Sequence, residues 1–347
     1  MRIGYQLIGR RSKASLATEH GVILIALLWI LTALSVIALS FSRESFVEVA
    51  AARNAQSLES SYFVARAGID TAVYQLFKKR YIPQLRQAEL QQEPEPLELG
   101  IVRGSLGGGE YQVNIQDESG KINVNNVSEQ QLRALAEAVG IQKPDSDIIA
   151  DSILDWRDSD TAHRLSGAED DYYQALNQPY ECRDGAIETT EELLLIRGVT
   201  AEYFYGRPER IPDGSVSYSY GLSRYLTAYS QGSPQVNVNF APLPVLLSIP
   251  GMPPQAAQSI YERRRVKPFK TTQEIAGDLG MTLPATAVQY LTVGGSEVFT
   301  LTASAHAANS KARRVIRTVI SLQPGLNKPF RILYWNENVP DYEGMMP

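Results

Sequence analysis

From Gly21 to Phe41 the chain carries no charged side chain, and the short segment ahead of that run is basic. Wound as a helix, such a 21-residue run rises about 31 Å, the thickness of a bilayer's hydrocarbon core. The remainder is polar and mixed, which predicts a single membrane span with the working part outside the lipid. Arg2, Arg10, Arg11 and Lys13 precede the span. The positive-inside tendency therefore keeps the N-terminus cytoplasmic and sends everything after Phe41 across.

Three readings fit such a run. A cleaved secretory signal has an apolar region of about 7–15 residues that ends at a small-residue site, whereas this run is longer and no such site follows it. A plain signal anchor hands over to a flexible linker. A type IV pilin-like leader is cut ahead of the apolar run, which puts cleavage at Gly21 and makes Val22 the new N-terminus. The residues downstream favour the third. Between Arg43 and Lys79 there is no proline, and Gly68 is the only glycine. Apolar residues recur at Phe46, Val49, Ala52, Tyr62, Phe63, Ile69, Val73, Leu76 and Phe77, along one drifting helical face. The pattern predicts a leader over residues 1–21 and one stalk helix over 22–80, with 22–41 in the membrane.

The chain has 347 residues, a formal net charge of −5 and a pI near 5.5. Its length leaves room for one or two cores beyond that of the stalk. The acidic balance argues against a nucleic-acid partner, whose electrostatic footprint is a basic surface. Cys182 is the only cysteine. It therefore forms no intrachain disulfide and reads as buried or incidental.

Gln84 to Gly100, rich in Gln, Glu and Pro, reads as a loop. Glycine-rich Gly104–Gly109 precedes Tyr111, Val113 and Ile115 in alternation, which predicts a hairpin turn feeding a strand. It is not a phosphate cradle, because no Gly-Lys-Ser/Thr follows. An internal repeat comes next. Ile122-Asn-Val-Asn125 and Val236-Asn-Val-Asn239 each lead into an apolar-periodic helix, Leu132–Val139 and Leu243–Ile249. Asn favours such helix starts because its side chain accepts from nearby backbone N–H groups. Further helices are expected over Asp147–Trp156 and from Met252 through Arg264, with a Gly-centred turn at Gly198. Val298–Ala305 and Val315–Leu322 read as strands joined near Asn309, and they are expected to pair with Tyr111–Ile115.

The fold class that follows is α+β: a long N-terminal helix packed on a small antiparallel sheet drawn from residues 100–117 and 296–335. A large helical region is inserted into that sheet as two SAM-like or helix-hairpin-helix-like subdomains, 118–210 and 236–292. A Tyr/Ser/Gly-rich connector, loosest over Asp213–Gly221, joins them.

Asp151, Asp155, Asp158, Asp160, Glu169, Asp170 and Asp171 fall within 21 residues, offset only by Arg157 and Arg164. One reading is a solvated acidic loop. The other is an ordered loop around a cation, because Trp156, Tyr172, Tyr173 and Tyr180 alternate with the carboxylates and like charges on a folded turn repel. Calcium suits it, taking roughly 6–8 oxygen ligands in flexible geometry. The spacing is not that of an EF-hand, since no glycine follows Asp160 at the required step.

Several stretches resemble one family, the minor pseudopilin K of type II secretion systems. They are Asp155-Trp-Arg-Asp-Ser-Asp160, Gly167-Ala-Glu-Asp-Asp-Tyr-Tyr173, Glu192-Leu, Arg197-Gly-Val-Thr200, Asp117-Glu-Ser-Gly-Lys-Ile-Asn-Val-Asn125, Val236-Asn-Val-Asn239 and Ile249-Pro-Gly-Met252. The resemblance implies a pseudopilin fold, processing and N-methylation by the prepilin peptidase at Gly21 and Val22, and a head in the periplasm on a single span of the bacterial inner membrane. It implies a place at the pseudopilus tip with minor pseudopilins I, J and H. It also implies calcium in the helical insertion, carried over onto Asp155, Asp158, Asp160 and Glu169, with Asp151 and Asp171 as secondary candidates. Ala26 stands fifth from Val22, where most pilins place a glutamate that neutralises a neighbour's N-terminal amine inside lipid. An unpaired charge in hydrocarbon is costly, so a subunit without that glutamate suits the end of a filament.

Two other functions compete. An enzyme finds little support: His20, His163 and His306 lie far apart, and no Gly-x-Ser-x-Gly or Cys-rich metal signature is present. A membrane-anchored DNA receptor is the sharper alternative. Leu247-Ser-Ile-Pro-Gly-Met252, with Ala256, Ile260 and Arg263–Arg265, looks like a helix-hairpin-helix that can hold a phosphate on backbone N–H groups. The bland reading of the same glycine turn is that it packs two helices.

Overall fold

The computed structural model describes residues 16–81, 100–210, 216–218, 221–230, 234–280, 283–295, 297–308, 310, 312–322 and 329–339. Residues 1–15 of the leader, the loop expected over 84–99, Asn309, and residues 211–215 and 219–220 of the connector lie outside them.

The proline-free stretch forms helix α1, Leu16–Tyr81, which begins ahead of the expected Val22. Two compact units, 1–60 and 61–347, divide within this helix. In the first unit the large apolar side chains from Val22 to Phe41 are all exposed, and the helix is long and apolar enough to cross a membrane.

In the second unit the helix turns amphipathic. Ala65, Ile69, Ala72, Val73 and Leu76 recur at helical spacing and are buried in one core with Val113, Leu301, Ala303, Ile316 and Ile320 of a five-stranded sheet. Its strands are β1 (Ile101–Leu106), β2 (Gly109–Asp117), β3 (Val298–His306), β4 (Arg313–Leu322) and β5 (Phe330–Asn336). They lie in the order β1-β2-β3-β4-β5, every neighbour antiparallel. The glycine on the buried part of α1 has a packing reason. A Cβ on Gly68 would lie 2.7 Å from the Tyr111 ring and 2.9 Å from Val113. Ser61 ties the helix to the β3–β4 hairpin, accepting from Ala307 N at 2.9 Å and donating to Ala312 O at 3.0 Å.

The chain leaves this sheet at Asp117 and returns at Val298 into the neighbouring antiparallel strand, with Val113 opposite Ala303. Everything between is inserted, as the strand pattern predicts. At the exit Glu118 is buried, 2.6 Å from Lys121 Nζ, and accepts from Thr300 Oγ1 at 2.7 Å. Burial pushes its carboxyl up, yet Lys121 and the hydroxyl donors outweigh that and hold it below the usual range.

The insertion is a structural duplication. Its helices are α2 (Glu129–Ala138), α3 (Asp145–Arg157), α4 (Asp170–Gln174) and α5 (Ala201–Tyr205) in the first copy, and α6 (Leu243–Leu247), α7 (Pro254–Val266), α8 (Thr272–Leu279) and α9 (Ala285–Val288) in the second. Ile122–Asn123 pairs in parallel with Leu226–Thr227, and Val236–Asn237 with Leu291–Thr292. Asn123 Oδ1 accepts from Asn125 N at 2.8 Å, and Asn237 Oδ1 from Asn239 N at 3.0 Å. The second asparagine of each motif clamps a backbone segment through both amide atoms. Asn125 holds Ile187 at 2.8 and 2.9 Å, and Asn239 holds Phe269 at the same two distances. Arg157 at the end of α3 donates to Val124 O and Val127 O, and Arg264 in α7 to Val238 O and Ala241 O.

One sequence-based boundary shifts. The first copy does not stop at 210, because part of the expected connector returns as Leu222, Tyr225 and Leu226 into its core and as the Leu226–Thr227 pairing. Nor do the copies have separate cores: α2 packs on α6, and one continuous core holds buried residues of both.

Candidate metal centre

The acidic segment starts on the last turns of α3, which carries Asp151 and Asp155, and runs through an ordered loop to α4. Trp156, Tyr173 and Tyr180 form an aromatic cluster beneath it, with the Trp156 and Tyr173 ring centres 5.0 Å apart and Tyr173 fully buried. Arg197 donates to Gly167 O at 2.8 Å and stacks 4.9 Å over Tyr172. Gly167 allows the loop to close, since a Cβ there would collide with the Asp155 carboxylate. The loop is ordered, as the alternating aromatics predict.

Asp158, Asp160 and Glu169 bring one carboxylate oxygen each within 4.8 Å of one another. Glu169 is 3% exposed and its Oε1 has no hydrogen-bond partner; Asp158 Oδ1 is likewise buried and unpartnered. Burial first, then the neighbouring charges of Asp155, Asp158 and Asp184, push the Glu169 carboxyl up to about 7, with His163 opposing. Orphaned buried carboxylate oxygens of this kind suit a hard, oxygen-seeking divalent cation, whose charge would relieve both the repulsion and the missing bonds.

The other sequence candidates have protein partners. Asp155 is fully buried and lies at the edge of the cluster, but Arg164 Nη1 sits 2.5 Å from its Oδ1 and 2.6 Å from Asp158 Oδ2. Burial raises the Asp155 carboxyl, and the Arg164 hydrogen bonds oppose the rise without cancelling it. Asp151 pairs with Arg133 at 2.6 Å and accepts from Ser166 N at 2.9 Å, which anchors the loop's far end. Asp171 faces solvent and meets His163 Nε2 at 2.9 Å. Sequence reasoning missed a second group on the far side of Glu169, formed with Cys182 and Asp184, whose ligand atoms also lie within 4.8 Å of one another. The Asp184-Gly185 turn, with Asp184 at φ 50°, was the available signal. Cys182 is buried and burial pushes its thiol up to about 12, so it stays protonated.

The hairpin at Ile249–Met252 is a packing element. Pro253 and Pro254 open α7, so the helix start lacks two of the N–H groups that a phosphate grip needs. Of the three arginines, Arg264 is buried against carbonyls, and Arg263 donates to Lys267 O and stacks on Phe269.

A long apolar N-terminal helix, an antiparallel sheet packed on its later part and a helical insertion between adjacent strands define a pilin-like subunit. Its fold matches a chain in the crystal structure of the GspK–GspI–GspJ complex from the enterotoxigenic Escherichia coli type 2 secretion system, with a TM-score of 0.54 at 16% identity over 79% of this chain and all of that one. Two family profiles, both described as type II secretion system protein K, match residues 112–205 and 236–294. Among curated relatives, the protein K of Pseudomonas aeruginosa is 26% identical over 182 residues, half of each chain. That of Aeromonas hydrophila is 38% identical over 73 residues, 21% of this chain and 22% of its own. The matched regions thus span about half the length of these relatives or less.

Proposed function

We propose that this protein is a minor pseudopilin that joins minor pseudopilins I, J and H at the tip of the type II secretion pseudopilus, initiating or capping the filament that drives export across the outer membrane. The observation that carries this reading is the match of protein K profiles to both inserted helical copies, set on a pilin-like helix and sheet. The E. coli structure of similar fold is itself a complex with I and J. Val22–Phe41 would hold the subunit in the inner membrane with the head in the periplasm, after prepilin-peptidase cleavage at Gly21 and methylation of Val22. Within lipid, stalks associate by close packing rather than by the hydrophobic effect. Beyond it, exposed Phe46, Val47 and Val49 offer apolar area to partner helices, each about 1.5–3 kcal/mol if fully buried. Ala26 in place of a glutamate leaves no partner for another subunit's amine, which suits the terminal position. The role is structural and we assign it no catalytic step.

The same reading places calcium in the first copy. Asp158, Asp160 and Glu169 would hold it, with Asp155 at the edge and Asp184 beyond Glu169; the ion would supply positive charge that cross-links the loop. Two experiments test these proposals. N-terminal mass analysis of membrane-extracted protein should find methylated Val22, and crosslinking should recover I and J; an uncut leader, or crosslinks spread along the filament shaft, would defeat the tip assignment. For the ion, calcium at about 100 times its Kd should stabilise the fold by about 2.7 kcal/mol over chelator. Superimposable melting curves would remove calcium from the account.

A further inference from the structure

We propose that Arg164 is a tethered competitor for the cation site: its guanidinium occupies the oxygens of Asp155 and Asp158 that an incoming calcium ion needs, and so sets the affinity of the loop. The inference rests on the calcium reading above. Nη1 bridges Asp155 Oδ1 at 2.5 Å and Asp158 Oδ2 at 2.6 Å, so one positive group already holds the two carboxylates together. The bridge is incomplete. Asp158 Oδ1 and Glu169 Oε1 remain buried without partners, a deficit the arginine does not reach. A calcium ion takes roughly 6–8 oxygens, more than Asp158, Asp160 and Glu169 provide with one oxygen each, so recruiting the oxygens under Arg164 is the direct way to complete its shell.

The arginine is free to leave. Its side chain is 35% exposed, and that of the next residue, Leu165, is wholly exposed. Its backbone has an anchor separate from the guanidinium, because Arg164 N donates to Asp155 Oδ2 at 3.2 Å. A charged group held on so short a tether competes at a high effective concentration. The ion-free loop thereby stays folded, and calcium must displace an ion pair to enter.

The test compares the full chain with Arg164→Gln and, as a control for charge acting through space, Arg183→Gln. Arg183 pairs with Glu188 and Glu192 rather than with Asp155 or Asp158. Terbium luminescence sensitised by Trp156 and the nearby tyrosines, displaced by calcium, reads affinity, and melting in chelator reads the ion-free fold. Arg164→Gln should bind calcium about tenfold tighter, the equivalent of about 1.4 kcal/mol, and melt lower in chelator. Arg183→Gln should change affinity by less than about threefold. Equal or weaker binding by Arg164→Gln overturns the competitor role while leaving the calcium site in place. If neither wild type nor Arg164→Gln binds calcium, the calcium reading fails and this inference with it. Should Arg164→Gln fold poorly, Arg164→Met keeps the length of the side chain without its charge or donors, and the same tightening is required of it.

Discussion

The two inserted copies share a scaffold and differ most in the connection that carries the acidic loop. In the second, four residues separate Arg264 from Phe269; in the first, twenty-nine separate Arg157 from Ile187. Both ends are held alike, by an arginine on the motif's carbonyls and an asparagine amide on the returning backbone. The helical turn beyond, Thr190–Leu195 in the first copy and α8 in the second, also starts alike, with Glu192 accepting from Glu188 N at 3.1 Å and Glu274 from Lys270 N at 2.7 Å. The whole acidic loop is therefore an insertion at one point of a duplicated module, between anchors that the plain copy already possesses. A scaffold stable without the loop can carry a charged, partly unsatisfied one, and the second copy shows what the fold looks like in its absence.

The largest effects should come from the arginines. Arg157→Ala and Arg264→Ala each strand two carbonyls. Hydrogen bonds to charged groups contribute about 1.5–3 kcal/mol apiece, so each variant should lose about 3–6 kcal/mol in urea unfolding. Arg264, the more buried, should lie at the upper end. A large loss in one copy beside a negligible one in the other would break the equivalence. The asparagine clamps come next. Asn125→Ala and Asn239→Ala should each cost about 2 kcal/mol. Only Asn125→Ala should also weaken calcium binding, because Ile187 closes the inserted loop whereas Phe269 closes a short turn.

Much of this was legible in the sequence. The Asn-Val-Asn repeat is literal, and the alternation at Tyr111–Ile115 and Val298–Ala305 named strands that pair across the insertion. The shared core was not legible, because periodicity shows that a helix has an apolar face but not which face it meets. In the acidic segment, charge density named seven carboxylates, of which the structure draws Asp158, Asp160 and Glu169 together. It did not show that Arg133 claims Asp151 or that His163 meets Asp171, since each partner arrives through tertiary packing. Asp184 escaped because it enters from beyond α4, after the aromatic stretch, where the acidic run has ended.

The smallest effect concerns Glu169, which has no counterpart in the short turn of the second copy. Its carboxyl is pushed from an ordinary 4.5 up to about 7 by burial and by Asp155, Asp158 and Asp184, against His163. Between those values the ion-free folded protein keeps a proton that the unfolded chain has released. Stability from this group therefore falls as pH rises from about 4.5 to about 7 and stays low above it. Glu169→Gln carries no titrating carboxyl and should lack that component. In chelator its Tm, relative to wild type, should rise by about 2–4 °C between pH 5 and pH 7.5. In calcium the order should reverse at pH 7.5, because wild type gains a bound ion and the glutamine variant loses a ligand. Parallel Tm profiles in chelator would mean that Glu169 is not the strained carboxylate of the loop, and the contrast between the two copies would then rest on Asp158 and Asp160.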